Sequence, residues 1–198
     1  MELIAAAGAT TVIIGSITYG FYKFAGKSKP VDEESAQVDY IFSKSTKSPK
    51  QKIINVIDNS EKSLDIAMFL LTEGDFVTHI TKANKRGVNV RVISDKTQAA
   101  DQTKQTAHIQ KLIQSGVPVK INTHDGNMHL KVMISDKKLT TSGSYNFTYS
   151  AENKNDEVLV IIKSKKIAEE WADKFDEMWN DSKQYSPYPY DSQEKHAL

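Results

Sequence analysis

The sequence predicts an α/β domain with a mixed β-sheet flanked by helices on both faces. Two observations carry this prediction. Between Asp39 and Ile121, short runs with the two-residue period of strands take turns with segments that have the period of helices. Between His129 and Ile162, three strand-like runs follow one another closely. The alternation favours parallel strands covered by helices, whereas the clustered runs favour antiparallel pairs, so we expect both kinds of pairing in one sheet.

The predicted elements follow in chain order. The strand candidates are Asp39–Ser43, Leu64–Leu70, Val88–Ile93, Val117–Ile121, His129–Ile134, Leu139–Thr141 and Val158–Ile162. The apolar stripes of the helix candidates are Ile53–Ile57, Phe76–Ala83, Ile109–Ile113 and Ile167–Met178. Ser48 before Pro49 is typical of a helix start, and Gly87 and Gly116 are typical of helix ends. Asp95–Thr103 is predicted to be a loop that could wall a substrate groove.

The chain divides into four parts, with the folded domain at 38–182. Residues 1–24 are predicted to be a transmembrane anchor, because Leu3–Tyr22 carries no charge and twenty residues at about 1.5 Å each match a hydrocarbon core about 30 Å thick. Residues 25–37 are a polar linker, and 183–198 form a C-terminal tail without periodicity that we expect to be loosely attached.

The anchor has an alternative, a cleaved signal peptide. Signal peptides usually carry their basic residues before the apolar run, whereas here Glu2 precedes it and Lys23 follows it. A retained single-pass anchor with the domain on the cytosolic side is therefore favoured. A signal peptide would make the protein secreted or periplasmic.

Composition excludes some classes of protein. The 198 residues are 39% hydrophobic and 26% charged, which is typical of a folded domain of ordinary size. The net charge of +1 means that any nucleic-acid binding must use a local basic patch. The absence of cysteine excludes disulfides and zinc sites with thiolate ligands.

The residues suited to chemistry lie between Met128 and Val158. His129 and Lys131 are two residues apart, so on a strand both side chains would point to the same side. Ser144 and Asn146 have the same spacing and could donate hydrogen bonds to phosphate oxygens. A neutral imidazole can attack phosphorus, and a neighbouring ammonium can hold the anion in place. Taken alone, each of these residues is more often structural, so the prediction rests on their joint spacing.

That joint spacing resembles a known family. His129-x-Lys131, followed by Asp136, Gly143-Ser144-x-Asn146 and Glu157, is similar to the HxKxxxxD signature of the phospholipase D superfamily. The stretch SGSYNFTYSAENKNDE is similar to the branch with a single motif, which includes bacterial phospholipase D-like endonucleases and a mitochondrial membrane-anchored member. The resemblance extends more loosely over 40–179.

The resemblance implies a role for each residue. His129 would be the nucleophile that forms a phosphohistidine, and Glu157 would orient its imidazole. Lys131 and Asn146 would bind the scissile phosphate, with Ser144 nearby. Asp136 belongs to the motif, but the resemblance implies local structural support more than contact with substrate. Val158 stands where the family often has asparagine, which puts only a secondary contact in doubt.

The resemblance also implies a homodimer that needs no metal and no cofactor. In-line displacement uses a neutral histidine on one side of phosphorus and a protonated one on the other, and one motif supplies only one. A two-fold dimer would therefore pair two copies of His129 across one phosphate. The other histidines lack partners at motif spacing, and His124 is expected to be at most a groove contact.

Three functions remain open from the sequence. The first is an endonuclease with little sequence preference that cleaves DNA or RNA, single- or double-stranded. The second is a membrane-anchored phospholipase D that acts on an anionic lipid such as cardiolipin. The third is a non-catalytic nucleic-acid-binding module. Six lysines could follow a phosphate backbone or could equally be ordinary solvated surface: Lys96, Lys104, Lys120, Lys137, Lys138 and Lys154.

Overall fold

One eight-stranded sheet forms the centre of the domain in the computed structural model, which describes residues 35–189. Its strand order is β1-β7-β6-β5-β2-β3-β4-β8. The strands are β1 (Gln37–Phe42), β2 (Ser63–Met68), β3 (Asn89–Ser94), β4 (Val119–Asn122), β5 (Lys131–Ser135), β6 (Leu139–Gly143), β7 (Val158–Lys163) and β8 (Tyr185–Pro187). Strands β2, β3 and β4 pair in parallel, and the other neighbouring pairs are antiparallel. The prediction of a mixed sheet is confirmed.

Helices cover both faces of this sheet, as predicted. Within the described residues they are α1 (Pro49–Asp58), α2 (Gly74–Lys85), α3 (Lys96–Asp101), α4 (Thr103–Gln114), α5 (Tyr149–Asn153) and α6 (Lys165–Asn180). Apolar residues of α1, α2 and α4 form the larger core with one face of the sheet. Helix α6 forms a second core with the opposite face, which we call the α6 face. Phe175 and Met178 of α6 are buried there, which confirms the predicted inward stripe.

The local signals at the helix ends act as the sequence predicts. The Ser48 hydroxyl accepts a hydrogen bond from Gln51 N at 3.0 Å, and Pro49 is the first residue of α1. Gly87 and Gly116 follow α2 and α4 with φ angles of 91° and 86°. Side chains with a Cβ rarely adopt these values, so glycine ends both helices at little cost.

The prediction of a loop at Asp95–Thr103 is wrong, because its centre is helix α3. The Asp95 carboxylate accepts hydrogen bonds from Thr97 N and Gln98 N, both at 3.0 Å, and so caps the helix. Buried Ala99 then packs the short helix into the larger core. An aspartate N-cap followed by alanines is a helix-start signal, and it outweighs the polar composition of the segment.

The prediction of a loosely attached tail from Lys183 is also wrong for its first residues. Tyr185–Pro187 forms β8, which pairs with β4 at one edge of the sheet. Two flanking hydrogen bonds extend the pairing, from Thr123 N to Gln184 O at 2.7 Å and from Tyr188 N to Val119 O at 2.9 Å. Pro187 is tolerated because an edge strand needs amide donors on one side only. The folded domain therefore continues beyond the predicted boundary at residue 182.

The predicted anchor at 1–24 and most of the linker at 25–37 lie outside the described residues. Between residues 35 and 189, no helix is both long enough and apolar enough to cross a bilayer.

Candidate active site

One end of the sheet gathers the predicted site residues. Here β5 and β7 begin and β6 ends, so residues just outside these strands become neighbours. The predicted strand His129–Ile134 included His129, but this prediction is wrong, because β5 begins at Lys131 and His129 precedes it by two residues. The strand pairing still extends past β5, because Phe69 N donates to Leu130 O at 2.9 Å.

The His129 imidazole and the Lys131 ammonium lie against each other. Lys131 Nζ is 3.1 Å from each ring nitrogen of His129 and donates to the His129 carbonyl oxygen at 2.9 Å. The predicted placement of both side chains on one side is confirmed. A neutral imidazole has only one acceptor nitrogen, so the ammonium can donate to one of the two at a time. Its one remaining hydrogen can reach an anion bound beside the ring.

Burial sets the electrostatics of this pair. The Lys131 side chain is largely buried, whereas His129 is exposed. Loss of water lowers the pKa of the Lys131 ammonium, and the negative charge of Glu157 partly offsets that effect. An under-solvated ammonium attracts a phosphate more strongly than a solvated one. Lys131 is therefore placed to bind an anion at His129.

Gly143 allows the chain to turn from β6 into the Ser144–Asn146 segment. Its φ is +140°, and a Cβ at this position would lie 2.1 Å from the carbonyl oxygen of Val158. Ser144 N donates to that same oxygen at 3.1 Å, and the Ser144 hydroxyl accepts from Val158 N at 3.2 Å. Close approach of β6 and β7 thus requires glycine here.

The Asn146 side chain has a fixed orientation. Its Oδ1 accepts a hydrogen bond from Leu70 N at 3.2 Å, which joins the loop after β6 to the end of β2. Because Oδ1 is used in this way, the Nδ2 group is the donor that Asn146 can offer to a phosphate oxygen. The structure brings Asn146 to the same end of the sheet as Lys131.

Glu157 is held through its backbone. Glu157 N donates to the Ser43 hydroxyl and Ser43 N donates to Glu157 O, both at 2.9 Å, and the Ser43 hydroxyl donates to Asn155 O at 2.7 Å. The Glu157 carboxylate accepts from Asn155 Nδ2 at 2.9 Å and is close enough to Lys131 to act on its pKa. That Glu157 orients the His129 imidazole stays a prediction.

Asp136 lies beyond the opposite end of β5, away from the other motif residues. Its carboxylate accepts hydrogen bonds from three successive amides, Lys62 N at 2.7 Å and Glu61 N and Ser63 N at 3.0 Å. Burial would raise the pKa of this carboxyl, but the three amides outweigh that effect and hold the pKa below its usual value. Asp136 thus fixes the turn that leads into β2, which is a structural role.

Phe69 and Asp95 are two contacts of the site that the sequence analysis did not identify. The Phe69 ring lies 4.4 Å from the His129 ring, centroid to centroid, and 4.8 Å from Lys131 Nζ. Asp95 is fully buried and accepts a hydrogen bond from Met128 N at 2.9 Å, directly before His129. A signal existed for Asp95, as the N-cap of a helix. Phe69 has no local signal, because only strand pairing places it beside His129.

A cleft of about 580 Å³ opens next to His129. It lies between the segment before β5, the end of α6 and the start of β8, and its polar lining includes His124, Asn127, Lys174, Glu177 and Gln184. His124 is therefore placed where a groove contact is possible, as predicted. The strand β8, which the sequence analysis assigned to the tail, contributes Tyr185 to the wall.

The lysines predicted to follow a phosphate backbone do not form one patch. Lys137 and Lys138 lie past the end of β5 that is remote from His129. Lys96 Nζ donates to His124 O at 2.7 Å, and Lys120 Nζ donates to Trp179 O. Lys154 lies between Asn146 and Glu157 in the chain and is exposed. Lys104, the sixth of these lysines, lies in α4 and is exposed.

Comparison with known proteins is consistent with this geometry. The family model described as "Cardiolipin synthase, PLD-like domain" matches residues 53–179. The chain belongs to the phospholipase D-like family. The match spans α1 to α6 and includes His129, Lys131, Asp136, Ser144, Asn146 and Glu157, which confirms the resemblance drawn from the motif.

Two curated relatives carry related names. A mitochondrial cardiolipin hydrolase of Chlamydomonas reinhardtii is 30% identical over 129 residues, which cover 65% of this chain and 56% of that protein. A phospholipase D of Rickettsia prowazekii is 32% identical over 119 residues, which cover 60% of this chain and 57% of that protein. The matched region thus spans little more than half the length of these relatives.

A solved structure matches more completely. Nuc from Salmonella typhimurium, described as a phospholipase D family member, superposes with a TM-score of 0.71 at 27% identity. The match covers 79% of this phospholipase D-like chain and 100% of Nuc. The described domain therefore corresponds to a whole phospholipase D-like fold.

Proposed function

We propose that this protein is a metal-independent phosphodiesterase, and specifically an endonuclease that cleaves DNA or RNA through a phosphohistidine on His129. The observation that carries the proposal is the contact of the exposed His129 imidazole with the largely buried Lys131 ammonium. The proposed nucleophile, His129, thus lies beside the Lys131 ammonium, whose positive charge attracts an anionic phosphodiester. Family membership supports the reaction class, because the motif residues keep their spacing.

The reaction takes two steps on one phosphorus atom. A neutral ring nitrogen of His129 attacks phosphorus, and the bond to the leaving oxygen breaks as that oxygen takes a proton from His129 of the partner subunit. In the second step, a water molecule gives a proton to the partner's His129, and the water oxygen attacks phosphorus. The phosphorus–nitrogen bond breaks, which restores the nucleophile. Lys131 and Asn146 hold the phosphate oxygens in both steps, so neither step requires a metal.

The proposal includes a homodimer. Each chain supplies a single motif, whereas the two steps use an attacking imidazole and a proton-donating imidazole on opposite sides of phosphorus. A two-fold axis through the phosphate site places one copy of His129 on each side. His129 is exposed in the single chain, which fits a site that a second copy completes.

The nucleic-acid substrate rests on the resemblance to phospholipase D-like endonucleases and on the polar cleft beside His129. His124, Asn127 and Gln184 offer hydrogen-bonding groups there for sugars and bases. In the cell, we propose that residues 1–24 anchor the domain on the cytosolic side of a membrane.

A phospholipase D acting on an anionic lipid such as cardiolipin is the second candidate. An apolar slot of about 260 Å³ lies between α6 and the sheet, and its lining includes Leu130, Val132, Trp171 and Phe175. Leu130 stands between His129 and Lys131 in the chain, so a lipid phosphate at the site could place an acyl chain in this slot. The names of the two curated relatives favour this candidate as well.

One experiment separates the candidates. Wild type and His129→Ala would be compared on fluorescent single-stranded DNA, double-stranded DNA, RNA and cardiolipin vesicles, each in parallel reactions with and without EDTA. We expect cleavage of nucleic acid by wild type and a loss of about four orders of magnitude or more in His129→Ala, because no other group replaces the nucleophile. A matched control is His79→Ala, which removes a histidine that pairs with Asp58 on α1.

Each result has a defined consequence. Cleavage of lipid alone would make the phospholipase the function. Cleavage that EDTA abolishes would contradict the metal-independent mechanism. Binding of nucleic acid without cleavage of any substrate would identify a non-catalytic module. A mass adduct on the tryptic peptide that contains His129 would support the phosphohistidine if acid treatment removes the adduct. Phosphoramidates are acid-labile.

A further inference from the structure

Helix α4 carries one polar side chain on its buried stripe. Gln105 lies four and seven residues before Ile109 and Leu112, and all three side chains are fully buried. An apolar residue would fit this position of an amphipathic helix, whereas a buried amide costs stability unless its hydrogen bonds are made. A glutamine here therefore indicates partners that only an amide can satisfy.

The Gln105 amide binds the backbone of the segment Phe69–Leu71, which directly follows β2. Its Oε1 accepts from Leu71 N at 3.0 Å, and its Nε2 donates to Phe69 O at 3.0 Å and to the Ser94 hydroxyl at 2.9 Å. These partners fix the orientation of the amide, because only Oε1 can accept from an N–H and only Nε2 can donate to a carbonyl. Since Ser94 is the last residue of β3, Gln105 ties the ends of two strands to α4.

The same segment contacts the active site on two sides. Phe69 N donates to the carbonyl oxygen of Leu130, which follows His129 in the chain, at 2.9 Å. The Phe69 and His129 rings lie 4.4 Å apart, centroid to centroid. On the other side, Leu70 N donates to Asn146 Oδ1 at 3.2 Å. The segment therefore lies between the proposed nucleophile and the amide that would bind the phosphate.

One planar peptide group connects Gln105 to Asn146. The Phe69 carbonyl and the Leu70 N–H belong to the same peptide, whose oxygen accepts from Gln105 and whose N–H donates to Asn146. In a trans peptide these two groups are coplanar and point in opposite directions, so the bond from Gln105 also sets the direction of the N–H. Without Gln105 this plane is free to rotate, and Asn146 loses the partner that orients its side chain.

We propose that Gln105 is a positioning residue, which acts through the Phe69–Leu70 peptide to hold Asn146 in the orientation that binds the scissile phosphate. The inference rests on the proposed phosphodiesterase function, which it deepens by naming what sets the geometry of the phosphate site. Gln105 is fully buried and does not itself contact substrate. Its effect can still be large, because a displacement of about 1 Å caused far from the chemistry can cost about 100-fold in rate.

The first test removes the amide and keeps a side chain of similar volume. Gln105→Met would be compared with wild type in the 198-residue chain, on the phosphodiester that wild type cleaves. We expect kcat to fall about tenfold and KM to change less than about twofold, because Asn146 is misplaced while the charge of Lys131 still attracts substrate. Circular dichroism and urea denaturation check that the variant folds.

The matched control is Asn84→Leu. It removes a hydrogen bond of 3.0 Å from Asn84 Nδ2 to the carbonyl oxygen of Ser115, at the opposite end of α4 from Gln105. The control should lower stability and leave kcat unchanged, because this bond has no connection to Phe69–Leu71. An equal loss of kcat in the control would show that the packing of α4 alone is responsible, and would overturn the proposal.

A double-mutant cycle separates positioning from a general disturbance of the fold. We expect Gln105→Met to lower kcat/KM about tenfold in the wild-type background but about threefold or less in Asn146→Ala, because the residue that it misplaces has been removed. Equal factors in the two backgrounds would overturn the proposal. If Gln105→Met does not fold, Gln105→Ser takes its place in every comparison, since its small side chain leaves room for water to bind the freed backbone groups.

Nuclear magnetic resonance tests the positioning without a substrate. Isotopic labelling of leucine and asparagine makes the Leu70 amide and the Asn146 side-chain amide visible. In Gln105→Met we expect the Leu70 N–H to exchange with solvent about tenfold faster or more, and the Asn146 Nδ2 resonances to move. Both signals should stay as in wild type in Asn84→Leu.

The results separate this proposal from the proposed function. A wild type that cleaves phosphodiesters, with Leu70 and Asn146 signals that Gln105→Met leaves unchanged, would overturn the positioning role and leave the function standing. A wild type that cleaves no phosphodiester, with both signals changed in the variant, would overturn the function and support the link from Gln105 to Asn146.

Discussion

The two ends of strand β5 carry two halves of one motif and use them in opposite ways. At the far end, the Asp136 carboxylate accepts hydrogen bonds from three backbone amides, so its hydrogen-bonding capacity is spent within the fold. At the near end, exposed His129 and the Lys131 ammonium contact each other and retain capacity for an external anion. Asp136 therefore stabilises the fold, whereas His129 and Lys131 are available to an external ligand. One sequence signature combines both kinds of residue.

The largest expected effect is a loss of activity without a loss of stability when Lys131, at the near end of β5, is replaced. We expect Lys131→Met to lower kcat/KM about 10²- to 10³-fold, because the charge that stabilises the phosphate is lost. The free energy of unfolding should stay equal or rise, since methionine fills a similar volume and removes the cost of burying an ammonium. Kinetics on the cleaved substrate and urea denaturation provide the measurements. The matched control Lys138→Met, at the far end of β5, should leave kcat/KM unchanged, and a loss of activity there would contradict the contrast.

The next effect is a loss of stability without a loss of activity when Asp136, at the far end of β5, is replaced. We expect Asp136→Asn to lower the free energy of unfolding by about 1–2 kcal/mol, because an amide group would replace one acceptor oxygen opposite a backbone N–H. Asparagine tolerates the positive φ of 55° at this position, so backbone strain should not add to the loss. Urea denaturation measures the change, and kcat should stay constant. Asp156→Asn, an exposed ion-pair residue, is the control with an expected change of about 0.5 kcal/mol or less.

The same carboxylate predicts a pH dependence. Because the folded pKa of Asp136 is held below the usual value of 3.8, its contribution to stability is complete above that value and is lost as pH falls through the folded pKa. The difference in unfolding free energy between wild type and Asp136→Asn should therefore be constant from about pH 5 to pH 7 and shrink below about pH 4. A difference that grows on acidification would refute this account.

The smallest expected effect concerns Phe69. We expect Phe69→Leu to lower kcat about fivefold, because the contacts of the ring with His129 and Lys131 are worth about 1 kcal/mol. A positioning role predicts that KM changes little and that the pH dependence of kcat shifts, since the environment of the Lys131 ammonium changes. Phe69→Tyr keeps the ring and should restore kcat. Equal losses in both variants would indicate that packing alone is disturbed.

The sequence predicted the α/β fold class and the residues of the candidate site. Periodicity predicted the mixed sheet, and helix-end residues such as Ser48 and Gly116 predicted boundaries, because these signals depend on neighbours in the chain. The spacing from His129 to Glu157 predicted a shared site, and the structure brings His129, Lys131 and Asn146 to one end of the sheet while Asp136 lies at the other. The family resemblance implied local structural support for Asp136, and the structure places its carboxylate on three backbone amides at the far end of β5.

Tertiary structure alone decided the rest. Phe69 meets His129, and Ser43 holds Glu157, through strand pairings between residues that are far apart in the chain. Strand β8 forms because β4 offers an open edge, although its own sequence has no strand period. Lys137 and Lys138 belong to the motif segment in sequence. They nevertheless lie at the opposite end of the sheet from His129, because each residue of β5 adds a rise of about 3.3 Å. Sequence patterns record local preference, whereas these contacts depend on which strands become neighbours, and that is fixed only when the whole sheet assembles.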